Sequence, residues 1–309
     1  MATFVVTGDQ YRTIDQRMRE IKRQLDQDGG SPFDPELVAD ALQRIVEGKF
    51  KTEKWLEESL VKEKQYHQAF FGQEFDLTEF QETLQKYGQA KIQEWQKLGL
   101  EPHFLPEVSM AQGASFPGWK VKPEDWYYQN VANGKILRQQ PDDKLVVDKE
   151  AYKLEGMTVL IDARRKPSYT GGTQVYENDN LLGEIILELR QKGEIADYQT
   201  GPRNSRFNVS ANEWEKEIKP ALAGFLGLKV SQLRLERVVE ANVIPQLYPD
   251  IPRKDDGSTN TWTWYEEFFG DRDSRLLGGH SGNGGLANVY YDLADDHWRN
   301  RSFRPLAVL

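Results

Sequence analysis

Residues 261–309 read TWTWYEEFFGDRDSRLLGGHSGNGGLANVYYDLADDHWRNRSFRPLAVL, and this stretch decides the fold. No lysine follows Lys254, while five arginines do: Arg272, Arg275, Arg299, Arg301 and Arg304. Aromatic residues are dense and glycines cluster at 278, 279, 282, 284 and 285. Enriched Trp, Tyr and Arg with depleted Lys is the composition of an interface centre, because flat rings bury much area while ordering few torsions. Large rings also tend to be buried, so Trp262, Trp264, Phe269, Trp298 and Phe303 are expected in a core. Tyr290, Tyr291, Arg299 and Arg301 stand among polar neighbours, where a surface role is as well supported as an interior one.

Three catalytic readings of this stretch fail on their missing parts. GGHSGNGG (278–285) invites a phosphate loop, but no lysine follows it and LANVYYD continues as a strand rather than a helix. Ser281 is not a nucleophile elbow, since Asn283 stands where G-x-S-x-G needs glycine. His280 and His297 lie near Asp292, Asp295 and Asp296 without a recognised metal-ligand spacing, and ADDHW (294–298) reads as a solvated turn. No catalytic residue, metal or cofactor is expected.

The chain has 309 residues, no cysteine, and a net charge of −9. Its length suggests about two domains. The acidic balance argues against a general nucleic-acid binder, which needs a basic surface to neutralise phosphates. The missing thiols exclude disulfide frameworks, Cys-ligated zinc and thiol enzymes. No apolar run is long enough to span a membrane, and the first residues lack a secretory layout. A cytoplasmic location is therefore the default expectation, with surface or virion display as an alternative.

Outward from the tail, MTVLID (157–162) reads as a strand expected to pair with FRPLAVL (303–309), and LRLERVVE (233–240) reads as another. A helix over 181–192 is capped by Asn178 or Asp179 and ended at Gly193. Ser210-Ala-Asn-Glu213 is a capping box for a second, with Pro220 expected to kink or restart it. Residues 101–150, rich in Pro and Gly, read as a linker or the start of a second domain. Residues 1–100 read as a helical module. Ile14, Met18, Ile21 and Leu25 form one stripe stopped by Gly29-Gly30; Asp34-Pro35 opens a second helix that closes at Gly48; two more follow, over Trp55–Val61 and from Asp76. Such stripes are usually core faces. The expected class is α+β.

The order W-x-W-Y-E-E-F-F-G, then Arg275-Leu276-Leu277-Gly278-Gly279, then Gly284-Gly285-Leu286 and Phe303-Arg304, resembles the variable proteins of diversity-generating retroelements. Those proteins have a C-type-lectin-like fold related to formylglycine-generating enzymes. The resemblance is firmest over 254–309, extends to about 150–309, and does not reach residues 1–100. It implies a C-type-lectin-like ligand-binding domain over 151–309, with a variable region at about 261–309. It also implies a non-catalytic recognition function, in which error-prone copying at template adenines alters residues between fixed scaffold positions. The expected ligand-binding residues are Tyr265, Asp271, Asp273, Ser274, Leu277, His280, Asn283, Asn288, Tyr290, Tyr291, Asp295, His297, Arg299, Asn300 and Arg301. The ligand would be a macromolecule, a protein rather than a nucleic acid, and the N-terminal helices would be an oligomerisation or attachment element.

Two departures stand out. Ser302 replaces the glycine that commonly precedes Phe-Arg in the family, and the absence of cysteine excludes the oxidase chemistry of the related enzymes. Gln140-Pro141-Asp142 matches a calcium signature of sugar-binding lectins, but lies far upstream of the glycine-rich region and reads as coincidence. The alternative function is an enzyme or structural protein of unknown activity on a fixed lectin-like scaffold.

Overall fold

The computed structural model describes residues 8–26, 34–46, 53–165, 167, 169, 179–251 and 260–309. It forms two compact units, Met1–Glu57 and Glu58–Leu309. The first holds α1 (Gly8–Leu25), α2 (Pro35–Val46) and the start of α3 (Glu53–Phe71). Asp34 Oδ1 accepts the Glu36 N–H at 2.9 Å and Pro35 leads α2, as the Asp-Pro pair predicts. The α1 stripe differs from a core face: Met18, Ile21 and Leu25 are half-buried and Ile14 is exposed. Gly29, Gly30, Gly48 and Asn178 lie outside the described residues.

The second unit continues with α4 (Thr78–Lys97), which bends at Gly88, then β1 (Leu100–Ser109), α5 (Asp125–Ala132), β2 (Ile136–Gln139), β3 (Leu145–Val147) and β4 (Lys153–Asp162). Next come α6 (Gly183–Lys192), α7 (Ala211–Glu213), one π-turn (Trp214–Ile218), α8 (Lys219–Leu226), β5 (Leu233–Leu235) and α9 (Val238–Leu247). The tail supplies β6 (Trp262–Phe269), β7 (Ser274–Gly278), β8 (Val289–Leu293), β9 (Arg301–Phe303) and β10 (Pro305–Val308). The architecture is α+β, with two sheets that are antiparallel apart from the β6–β9 pair.

Sheet A has the order β1-β4-β10-β5. The expected pairing of MTVLID with the last strand is present, with Leu306 opposite Ile161 and Val308 opposite Val159. Its core joins Val159, Ile161 and Leu306 to Phe70, Phe71 and Val243 of the flanking helices. Sheet B has the order β3-β2-β6-β7-β8, with β9 beside β6. One face packs on α5, where Tyr127, Tyr128 and Val131 meet Tyr265, Leu276 and Val289.

Residues 101–150 are therefore no linker. β1 pairs with β4 along its whole length, from Leu100 opposite Asp162 to Ser109 opposite Lys153. Pro102 and Pro106 are tolerated because β1 is an edge strand, where a missing N–H need not break a ladder. The boundary between units falls at Glu57/Glu58, well before the expected breaks near 100 and 150, because α4 and β1 pack into the same unit as β4.

Local signals fare better. The Ser210 box forms, with Glu213 N–H donating to Ser210 Oγ at 3.2 Å and Ser210 N–H to Glu213 Oε2 at 2.9 Å. Ser210→Ala is expected to cost about 1 kcal/mol in denaturant unfolding, since the Glu213 N–H loses its side-chain acceptor. Pro220 sits at the start of α8, directly after the π-turn, so the helix restarts there. LRL forms β5 as expected, but VVE turns into α9, whose first turn is held by Arg237 N–H donating to Glu240 Oε2 at 2.8 Å.

α3, β1 and α9 meet at a buried polar cluster. Glu63 accepts from His103 Nδ1 (3.0 Å), Phe104 N–H (2.9 Å) and Tyr248 Oη (2.8 Å), while His67 Nε2 lies 2.9 Å from the Phe104 carbonyl. Side chains thus take up the outward N–H and C=O of edge strand β1 at Phe104, where a further strand would otherwise be needed. Burial opposes charge on His103, but the Glu63 and Glu101 carboxylates lift its pKa to about 9. Burial likewise opposes charge on Glu63, and His103 holds it down at about 2.

Candidate functional site

The scaffold of the tail comes first. Arg275 is buried on β7: its Nε donates to the Tyr265 carbonyl (3.0 Å) and one Nη to Glu215 Oε1 (3.0 Å), while its guanidinium lies 4.4 Å from the Phe268 ring centre. Phe303 is fully buried beside Trp214, and Arg304 donates to the Asp162 carbonyl at 2.7 Å, tying the end of β9 to sheet A. Ser302 is buried in extended β9, a backbone that needs no glycine.

The glycine-rich segment links β7 to β8 through two 3-10 turns, Ser281–Asn283 and Gly285–Ala287, so the strand–loop–helix of a phosphate loop is absent here. Gly284 has φ +113°, a conformation L side chains rarely adopt. Asn242 of α9 donates to the Leu286 carbonyl (2.8 Å) and accepts from Trp119 Nε1 (2.8 Å); Glu124 N–H donates to the Ala287 carbonyl (2.9 Å). The loop is thus held from beneath by residues far away in the chain.

On that support stands a run of rings along edge strand β8. His280 stacks on Trp262 (5.1 Å between centroids), Trp262 lies 6.4 Å from Tyr290, Tyr290 stacks on Tyr291 (5.4 Å), and Tyr291 on Phe269 (4.1 Å). Trp126 closes the row against Phe269 at 5.3 Å. Between these rings and the loop before β9 lies a concavity of about 270 Å³ lined by Trp262, Leu277, Tyr290, Asp292, Trp298, Asn300 and Arg301. Its floor is an ion pair. Arg301, 6% exposed, pairs with Asp292 and lies 3.7 Å from Asp296, its guanidinium 5.0 Å from the Trp264 ring and 5.5 Å from Trp298.

The expected binding residues divide. Leu277, Tyr290, Asn300 and Arg301 line the concavity and His280 stacks on its Trp262 wall; Tyr291 lies on the other face of β8, against Phe269 and Trp126, and Asn283 is exposed on the loop above. Tyr265 and Asn288 are interior: Tyr265 belongs to the α5 core, and the Asn288 carbonyl accepts from Gly279 N–H at 3.2 Å. Leu277 and Arg301 are likewise buried, so they are floor rather than free surface. Asp271, Asp273 and Ser274 lie at the β6–β7 turn, the far end of the hairpin from Gly278. Asp295 is exposed in the turn after β8; His297 pairs with Glu213 at 2.8 Å, and the Arg299 guanidinium lies 5.4 Å from the Tyr169 ring.

Trp264 and Phe303 are core, as expected, while Trp262 and Phe269 are only half-buried. Trp298 is 55% exposed and belongs to the face: the turn at 294–296 carries it out of the sheet and its ring rests on Arg301. Sequence reasoning missed Trp126, hidden in the supposed linker. It also missed Asp292, whose signal was the strand pattern Val289-Tyr-Tyr-Asp-Leu293 placing it two residues from Tyr290 on the same side.

No protein-family model matches the sequence, and a search of the curated proteins gives no match. A solved structure of PvdO from Pseudomonas aeruginosa is similar at 14% identity and a TM-score of 0.35, over 67% of this chain and 94% of that one. That likeness is too distant to carry an argument. Among the described residues, no helix is long and apolar enough to cross a membrane, and no three His, Cys, Asp or Glu are grouped to hold a metal ion.

Proposed function

We propose that this chain is a non-catalytic recognition protein. Its C-terminal region would be a C-type-lectin-like scaffold, with a binding face diversified by a retroelement. One observation carries the reading: every residue lining the ring-walled concavity lies between 262 and 301, inside the stretch that resembles a variable region. Of the residues quoted for the resemblance as scaffold, Arg275, Leu276, Gly278, Gly279, Gly285, Phe303 and Arg304 are buried while Gly284 and Leu286 are not; Tyr290, Tyr291 and Asn283 between them are exposed. Side chains outside the core can change identity without disturbing it, which suits a surface whose members vary. The ligand would be a protein, since Tyr and Trp anchors ringed by small polar residues are the make-up of protein-binding paratopes. In the first unit, exposed Tyr11 and Ile14 on α1 suit an oligomerisation element that would add avidity.

Sequencing the DNA around the gene tests the retroelement. A near-copy of the segment encoding 261–309, differing at template adenines and beside a reverse-transcriptase gene, is the expected result; without a second copy the diversification reading falls. A second test concerns the face itself. Tyr290→Ala, Trp298→Ala and Asn300→Ala should each shift unfolding free energy by less than about 1 kcal/mol, the range for exposed side chains and surface cation–π contacts. Leu276→Ala and Phe303→Ala should cost about 3–5 kcal/mol as core truncations. Loss of cooperative unfolding in the first group would make those residues core and the face assignment wrong.

A further inference from the structure

The two ions that line the concavity, Asp292 and Arg301, pair with each other, and Asp292 Oδ1 also accepts the Leu293 N–H at 2.9 Å. Neither a cation nor an anion entering from solvent finds an unpaired counter-charge among the lining residues. The rest of the lining is the rings of Trp262, Tyr290 and Trp298, the apolar Leu277 and the neutral amide of Asn300.

The polar atoms of these walls are donors in want of acceptors. Among the described residues, the indole N–H groups of Trp262 and Trp298 and the Tyr290 hydroxyl make no hydrogen bond, and the Asn300 amide reaches only the Asn260 carbonyl, at 3.5 Å. Trp264, beneath them in the same sheet, differs: its Nε1 donates to the Val209 carbonyl at 3.0 Å. Trp298 is 55% exposed, so its ring and its N–H are both open to a ligand.

The occupant that fits such walls is uncharged, presents flat apolar surface and carries acceptors without donors. A run of prolines in the extended left-handed conformation has this make-up. Its pyrrolidine rings pack on aromatic faces, every residue keeps a carbonyl, and none has an N–H that needs an acceptor. Such a segment is also ordered before it binds. That matters for a concavity of about 270 Å³, because so small a contact offsets little lost chain entropy. A lone aromatic side chain would cover the same rings but leave the indole N–H groups without acceptors.

Building on the binding-face reading, we infer that the concavity takes a proline-rich, extended segment of its protein ligand, with pyrrolidine rings against Trp262, Tyr290 and Trp298 and carbonyls accepting from the two indole N–H groups.

The test uses the full chain, 15N-labelled, with the indole N–H signals of Trp262 and Trp298 followed by NMR. The probes are acetyl-hexaproline amide, an acetyl-capped Gly-Ser hexapeptide amide and Nα-acetyl-tyrosine amide. Hexaproline should shift both signals saturably, with a Kd of roughly millimolar order or tighter, while the Gly-Ser peptide gives no saturable shift. Trp298→Phe keeps a ring and removes one donor. It should retain the melting temperature and weaken hexaproline, read at Trp262, about fivefold, the worth of one hydrogen bond. Raising KCl from about 50 to 500 mM should change the Kd by less than about twofold, because no unpaired charge takes part. A larger salt effect would overturn the inference in favour of ionic recognition. Equal binding of the tyrosine amide would overturn it in favour of a single aromatic anchor, and equal binding of the Gly-Ser peptide would remove any role for proline. Wild-type affinity in Trp298→Phe would overturn the assignment of the carbonyl acceptors. Each of those results leaves the binding face standing. Absence of any shift also overturns the inference, while the face itself is judged separately by its own substitutions and by the template copy.

Discussion

Gly278→Ala is expected to destabilise the second unit by about 3 kcal/mol or more and to spring β8 from β7. A Cβ at this position would stand 2.1 Å from the Asn288 carbonyl oxygen and 2.6 Å from Tyr265 Oη. The first obstacle is backbone, so no rotamer change relieves it, and insertion of even one methyl into a packed site commonly costs 1–3 kcal/mol. Denaturant unfolding measures the loss. Tyr265→Phe in the same chain removes only the second obstacle, so the double variant should stay close to the single one. Recovery of wild-type stability in the double variant would show that the phenol, not the β8 backbone, sets the requirement. Because Leu277 and Tyr290 face each other one residue away, the substitution should also disperse the indole signals of Trp262 and Trp298.

Glu63→Ala is the second large effect, at about 3–5 kcal/mol, the usual cost of removing one partner from a buried charge pair. It takes the carboxylate from His103 Nδ1 and leaves the Phe104 N–H without its acceptor, while Tyr248 Oη keeps only the Phe104 carbonyl. The pH dependence separates this pair from ordinary packing. His103 has its pKa raised to about 9, above the ordinary 6.5, so between those values the folded chain holds a proton that the unfolded chain has released. Stability from the pair is therefore complete below about pH 6.5 and lost as pH rises through 9, by an amount of about 3 kcal/mol in the limit. Glu63, held at about 2, gives the acid limb: stability present above its ordinary value of 4.5 and lost as pH falls toward 2. Both limbs report one interaction and are not summed. Glu63→Ala should flatten the alkaline limb in unfolding measured from pH 6 to 10; an unchanged slope would place the titrating group elsewhere.

How much of this could be read in advance depends on how local each signal was. MTVLID and FRPLAVL are short apolar runs with no helical spacing, and their pairing in sheet A followed from that. The Ser210 box is complete within four residues. β1 was hidden because Pro102 and Pro106 are usually loop residues, and only its place at the edge of sheet A makes them harmless. VVE in α9 was mistaken because β-branched residues favour strands, whereas burial against both sheets decides for helix there. At the face, ring density was visible but sidedness was not. Trp264 and Trp298 differ in no local respect that tells a fully buried indole from one that is 55% exposed. That difference arises from register: Trp264 lies opposite Leu277 in the middle of sheet B, while Trp298 follows a turn beyond its edge strand.

β10 sits between β4 and β5, so the middle of sheet A is supplied only after residues 262–304 have been made. A nascent chain halted anywhere from Trp262 to Arg304 can form the β1–β4 pair but leaves β4 with an open flank, and β5 without its partner. Messages carrying a stop or a frameshift in that interval would yield products with exposed strand edges, suited to proteolysis rather than accumulation. The order of synthesis thus acts as an inspection of the reading frame: the sheet closes only on chains translated in phase through the whole of 262–304.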